Sequence, residues 1–190
     1  SHNLEFACRI WGLKVTDLNQ GVVYGTDTDE TWLVTGLATS FHYDQYFGTV
    51  INRFLAQAAA EIPLTVYGTG DQTRGYLNII DTLRCVELAI ENPAEEGEFR
   101  VMNQFTQQFS ILDLARMVSD LTGIKWSCIP NPRVEMEDHY YNAKHSALED
   151  LGLTPQLLDN QTLETMYRVV YKERRRINKD VIMPTVRWKR

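Results

Sequence analysis

The stretch TVYGTGDQTRGYLNIIDT, residues 65–82, decides how this chain is read. Gly68, Gly70 and Gly75 crowd around a turn that also carries Arg74. A dinucleotide fingerprint needs G-x-G-x-x-G between a strand and a helix. Its third glycine lets the helix pack close to the strand, and the helix N-terminus faces the pyrophosphate. Gly68 and Gly70 match the first two positions, but Thr73 occupies the third. The residues that follow, YLNII, have the composition of a strand, and the Gly-Lys-Ser/Thr of a Walker loop is absent. The glycines therefore predict a turn between strands at 64–67 and 75–80, where glycine adopts positive φ without steric cost. Arg74, at the exit of the turn, is either a surface cation or a phosphate ligand, since a guanidinium pairs bidentately with phosphate.

Outward from this turn, helical and extended patterns alternate. Helical periodicity covers 3–11, closed by Gly12, and 43–63, closed by Pro63. A short strand is expected near 13–18 and a long loop over 26–43. Asp81 is the expected N-cap of a helix that Pro93 stops. A strand at 98–103 precedes a helix at 110–123, which opens on a Ser-x-x-Asp capping box and closes on glycine. A strand at 125–129, a Pro- and charge-rich loop at 130–142, a short helix and a final amphipathic helix complete the chain. The class is α/β, with about five short strands, fewer than a doubly wound domain normally has. The abrupt helical start and the missing strands suggest part of a larger fold.

The 190 residues are 44 % hydrophobic and carry a net charge of −6. Such a chain buries a real core, spans no membrane and is a poor ligand for nucleic acid. The basic run YKERRRINK, 171–179, reads as a solvated helix end. Cys8, Cys85 and Cys128 are scattered and odd in number, which suits a reducing compartment, with Cys8 and Cys85 as buried thiols. The four histidines form no ligand cluster, so no metal is expected.

TVYGTGDQTRGYLNIIDT resembles a stretch of the extended short-chain dehydrogenase/reductase family, whose members modify nucleotide sugars with bound NAD. TDLNQGVVYG resembles the family's R-x-x-N-V-Y-G-P segment, and PNPRVEMEDHYYNAKHSALEDLGLTP its late substrate-binding loop. The motifs DLNQGVVYG, NQFT-x-QFS and HYYNAKH narrow the likeness to the sulfosugar-forming branch, whose substrates are UDP-glucose and sulfite and whose product enters sulfolipid. The family's N-terminal glycine fingerprint is absent, and its Tyr-x-x-x-Lys pair is missing where the family has it, just before the stretch that SHNLEFACRIWG resembles; the Tyr140-x-x-x-Lys144 spelling falls in the late loop instead. The resemblance therefore implies a C-terminal half: 1–25 and about 82–103 as the last Rossmann elements, 26–81 and 104–190 mainly as the nucleotide-sugar domain. NAD would be bound mainly by a segment this chain lacks, and the half alone is expected to be inactive.

The resemblance places Arg74 and Arg133 on the UDP pyrophosphate, Glu135 on ribose hydroxyls, and Thr65 and Tyr67 near uracil. It places Asn19 near the sugar phosphate and Gln20 near the sugar or the nicotinamide of NAD; Thr49 and Arg53 would reach the sugar or sulfite. Each has a plainer alternative: surface Arg and Glu, an ordinary edge strand, loop capping by Asn and Gln. His139 lies in the HYYN motif without an assigned role, and Trp32, Phe41 and Tyr43 form either a lid or core. The expected partners are UDP-glucose, sulfite, a complementing N-terminal half and a homodimer or larger complex. The expected location is the chloroplast stroma, or the cytoplasm of a cyanobacterium. A non-catalytic interaction subunit, or a different nucleotide-sugar epimerase or dehydratase, is the alternative function.

Overall fold

The computed structural model describes residues 2–132 and 143–183. In chain order the elements are α1 (His2–Trp11), β1 (Val15–Gln20), β2 (Val22–Tyr24), α2 (Asp29–Leu33), α3 (Val50–Ala59), β3 (Leu64–Tyr67), β4 (Thr73–Asn78), α4 (Ile79–Glu91), β5 (Phe99–Gln104), β6 (Gln107–Ser110), α5 (Ile111–Thr122), β7 (Trp126–Ile129), α6 (Ala147–Asp150) and α7 (Asn160–Lys172). The class is α/β, as expected. Both thiols expected inside, Cys8 and Cys85, are fully buried. The run at 174–176 is an exposed 3₁₀ turn, with the Arg174 guanidinium over the Tyr171 ring at 4.1 Å.

Four differences from the sequence expectations have local causes. The helix expected over 43–63 starts only at Val50. Asp44 takes the amides of Tyr46 and Phe47 into a turn, and Thr49 becomes the N-cap. The strand expected to run to Ile80 stops at Asn78, whose side chain accepts from Ile80 N at 2.9 Å and starts α4. Asn78, not Asp81, is thus the N-cap. Polar Gln107–Ser110 forms a strand because β4 offers it an antiparallel edge, with Arg74 opposite Phe109 and Tyr76 opposite Gln107. The loop expected over 26–43 contains α2, opened by a reciprocal Thr28–Thr31 capping box.

The strands form three small sheets. β1 and β5 are parallel, with Asn19 opposite Asn103 and Gln20 opposite Gln104. β4 pairs parallel with β2 and antiparallel with β6. β3 and β7 are parallel. One apolar core joins α3, α5 and α7 to β3 through Phe54, Leu55, Leu64, Leu114, Leu163 and Met166. A second, around Leu77, Cys85, Leu88 and Met102, also receives Leu148 and Leu153 from the late segment. Polar bonds fix that late segment in place: Tyr24 Oη donates to Gln156 O at 2.7 Å, and Gln156 N donates to the buried Asp81 carboxylate at 2.8 Å. Burial raises the Asp81 pKa, and the amide of Gln156 opposes that rise.

Candidate functional site

The Gly68–Gly70 turn is a packing joint and not a phosphate cradle. Both glycines have positive φ, and a Cβ on Gly70 would stand 2.6 Å from Val66 Cγ1. The turn leads into strand β4, where a dinucleotide loop leads into a helix. Gly75 has a different reason to be glycine. A Cβ there would lie 2.6 Å from Phe105 Cγ, and one on Gly21 would lie 3.0 Å from Phe105 Cβ. Phe105 is buried between these two backbones, and its ring faces that of His145 at 4.3 Å between centroids.

The predicted site residues fall into three places. Asn19 and Gln20 are exposed at the C-terminal end of β1, where ligands of open parallel sheets bind. Asn19 Nδ2 donates to Asn103 Oδ1 at 3.4 Å, and Asn103 Nδ2 donates to Lys144 O at 2.7 Å. Lys144, whose carbonyl Asn103 holds, lines an open surface depression of about 370 Å³ together with Ala143, His145, Ser146 and Glu149. Sequence reading missed Asn103 and His145. The signal for Asn103 was available, since it is the strand-end residue in register with Asn19.

The second place joins Thr49, Arg53, Thr65 and Tyr67. Thr49 caps α3, and its hydroxyl accepts from Asn52 N. One turn on, Arg53 Nη2 donates to Thr65 O at 2.9 Å, and its guanidinium lies 3.9 Å from the Tyr67 ring centroid. Gln57, fully buried, donates to Thr65 Oγ1 at 2.8 Å and accepts from Thr65 N at 3.1 Å. Residues 64 and 68 point their amides at β7, so Thr65 turns its peptide groups the other way. There Arg53 and Gln57 take the places a neighbouring strand would fill. Gln57 was missed too, although a glutamine on the same face as Phe54 and Ala58 already signals a buried polar contact.

The third place is Arg74, half-buried on β4, with Nη1 donating to Thr73 O at 2.9 Å. Two residues on, the buried Tyr76 hydroxyl has no hydrogen-bond partner among the described residues. Burial holds its pKa far above that of an ordinary phenol, against the lowering pull of Arg74. Arg133, Glu135 and His139 lie outside the described residues. Trp32 is 74 % exposed on α2, whereas Phe41 packs on the first core and Tyr43 Oη accepts from Asn178 N at 2.8 Å.

Comparison with known proteins places this geometry. Residues 32–103 match the sequence profile of the NAD dependent epimerase/dehydratase family. The chain is 52 % identical over its full length to the chloroplastic UDP-sulfoquinovose synthase of Spinacia oleracea, covering 40 % of that protein. It is 39 % identical to the UDP-sulfoquinovose synthase of Sulfolobus acidocaldarius, again over its full length and over 50 % of the relative. The chain thus spans about half the length of these relatives or less. Among solved structures, the UDP-glucose 4-epimerase of Thermotoga maritima with UDP-glucose superposes with a TM-score of 0.68 at 20 % identity, over 93 % of this chain and 51 % of that one. A UDP-glucuronic acid 4-epimerase mutant of Bacillus cereus, with NAD and a fluorinated UDP-sugar, superposes with a TM-score of 0.67 at 22 % identity, over 90 % and 50 %. Along its whole length the chain is thus homologous to part of UDP-sulfoquinovose synthase, and its residues 32–103 match the NAD dependent epimerase/dehydratase family.

Proposed function

We propose that this chain is the UDP-sugar-binding half of a UDP-sulfoquinovose synthase, which joins UDP-glucose and sulfite. The observation that carries the reading is identity of 52 % over an alignment that spans the whole chain. Two structural features support it. Asn19 and Gln20 stand exposed at the C-terminal end of a parallel strand, and Asn103 links Asn19 to the open depression at Lys144. The apolar side chains of Phe6, Ile10 and Trp11 on α1 and Ile90 on α4 are 58–73 % exposed, and β1 has a strand neighbour on one side only among the described residues. Such faces suit a complementing N-terminal half, in the same polypeptide or another.

In this reading Arg74 and Arg133 neutralise the pyrophosphate, Glu135 holds the ribose, and Thr65 and Tyr67 lie beside the uracil. Both peptide groups of Thr65 already have protein partners, so its part is to set the strand, with the Tyr67 ring held flat by Arg53. Thr49 and Arg53 shape the wall towards the sugar or sulfite. Asn19, held by Asn103, orients the sugar end. The exposed amide of Gln20 fits the nicotinamide edge of NAD, while no described loop has the glycine spelling that its pyrophosphate needs. NAD, bound mainly by the other half, would take and return a hydride at the sugar. In this reading 1–25 and about 82–103 are the last Rossmann elements and the remainder is mainly the nucleotide-sugar part, the two being joined through shared cores: Tyr24 packs in the first, and Leu77, Leu148 and Leu153 pack in the second. A chloroplast stroma location suits the reading; the spinach relative is chloroplastic, and no described helix is long and apolar enough to cross a membrane.

Calorimetry with UDP on the full-length protein tests the clamp. Loss of a charge-assisted hydrogen-bonding pair costs about 1.5–3 kcal/mol, so Arg74→Ala should weaken UDP roughly 10- to 150-fold. Unchanged UDP affinity in Arg74→Ala would remove Arg74 from the site.

A further inference from the structure

We propose that His145 binds a hydroxyl of the hexose, with Nε2 as the acceptor, in the depression bounded by residues 143–149. The inference rests on the nucleotide-sugar reading above and names a contact that reading lacks. The ring geometry fixes the chemistry. His145 Nδ1 lies 3.1 Å from Ala143 O. A carbonyl only accepts, so Nδ1 carries the hydrogen, and in the neutral tautomer that this contact selects the lone pair is on Nε2. The ring plane is restricted as well, because it lies against Phe105, which is wedged between Gly21 and Gly75. The Nδ1 contact and the ring contact with Phe105 thus both restrict how the imidazole sits.

Position points the same way. The residue before His145 has its carbonyl held by Asn103, and Asn103 also bonds Asn19 at the end of β1. His145 therefore belongs to the same bonded group as the strand-end asparagines. The feature it lines is an open surface depression of about 370 Å³, roomy enough for a hexose. Its other polar residues are Lys144 as donor, Glu149 as acceptor and Ser146 as both. Among the described lining residues that mixture of donors and acceptors suits the hydroxyls of a sugar.

The test compares UDP with UDP-glucose by calorimetry on the full-length protein. His145→Phe keeps an aromatic ring against Phe105 and removes the acceptor. It should weaken UDP-glucose about tenfold, the worth of one ligand hydrogen bond, and leave UDP within about twofold. His145→Gln, whose side-chain oxygen accepts, should recover part of the loss. UDP-glucose affinity unchanged in His145→Phe, or equal loss for both ligands, overturns the inference while the nucleotide-sugar reading stands. A wild-type protein that binds no UDP overturns that reading, and this inference with it.

Discussion

Gly75→Ala is the substitution whose outcome is best determined by the geometry. The new methyl would begin 2.6 Å from Phe105 Cγ, 2.9 Å from Cδ2 and 3.0 Å from Cβ. Ordinary contact begins at 3.4 Å, so the ring must retreat by about 0.8 Å. Gly21 blocks one direction, since a Cβ there would already sit 3.0 Å from Phe105 Cβ. The side towards His145 holds a ring at 4.3 Å between centroids, so any retreat that way moves His145 too. Overpacking of this kind costs about 1–3 kcal/mol. In a chain of this size 1 kcal/mol moves the melting temperature by about 2–4 °C, which gives a drop of roughly 2–12 °C. Thermal unfolding followed by near-ultraviolet circular dichroism reads this directly, and Gly75→Ala combined with Phe105→Leu should recover part of it. A Gly75→Ala protein that melts with the wild type would refute the wedge, and with it the account of how His145 is aimed.

Gln57→Leu should cost about 1–3 kcal/mol in urea unfolding, because it strands the buried Thr65 N–H and hydroxyl; a neutral result would mean that the edge of β3 is satisfied by other groups. Asp81 adds a dependence on pH. Its pKa is raised in the fold by burial, so the native state binds the proton more tightly than the unfolded chain does. Stability from this group is therefore full below the unfolded pKa, about 4, and is lost as pH rises through the higher folded value. Asp81→Asn, which keeps an oxygen for Gln156 N, should melt higher than wild type at pH 7, with the gap narrowing towards pH 4. A gap that is constant with pH would show that the carboxylate is not penalised.

Much of the fold was legible in the sequence, and the failures share a cause. The capping box of α5 was readable because Ser110 and Asp113 satisfy each other within one turn. The strand at 64–67 was readable from LTVY and its flanking proline and glycine. Asn78–Ile80 was misread because two isoleucines favour a strand, while one local bond from Asn78 decides for a helix. β6 was invisible because its polar residues become a strand only beside β4, a partner fixed by tertiary structure. Among the candidate site residues, Asn19 and Gln20 were picked out through motif spelling. Asn103, Gln57 and His145 were not, because their parts depend on register and packing between segments distant in sequence. Gly75 shows the same limit: its neighbour Phe105 is 30 residues away, and nothing in the local spelling separates it from a turn glycine.

The side chains laid along β3 have a consequence beyond the binding site. An unpaired strand edge is a template for any passing chain, and proteins with exposed edges tend to join through them. Here the peptide of Thr65 is already bonded on its open side, by Arg53 at the carbonyl and Gln57 at the amide. A stray strand would first have to expel two anchored side chains from their own helix. Arg53 and Gln57 thus close the edge of β3 at Thr65 against pairing with a strand of another molecule.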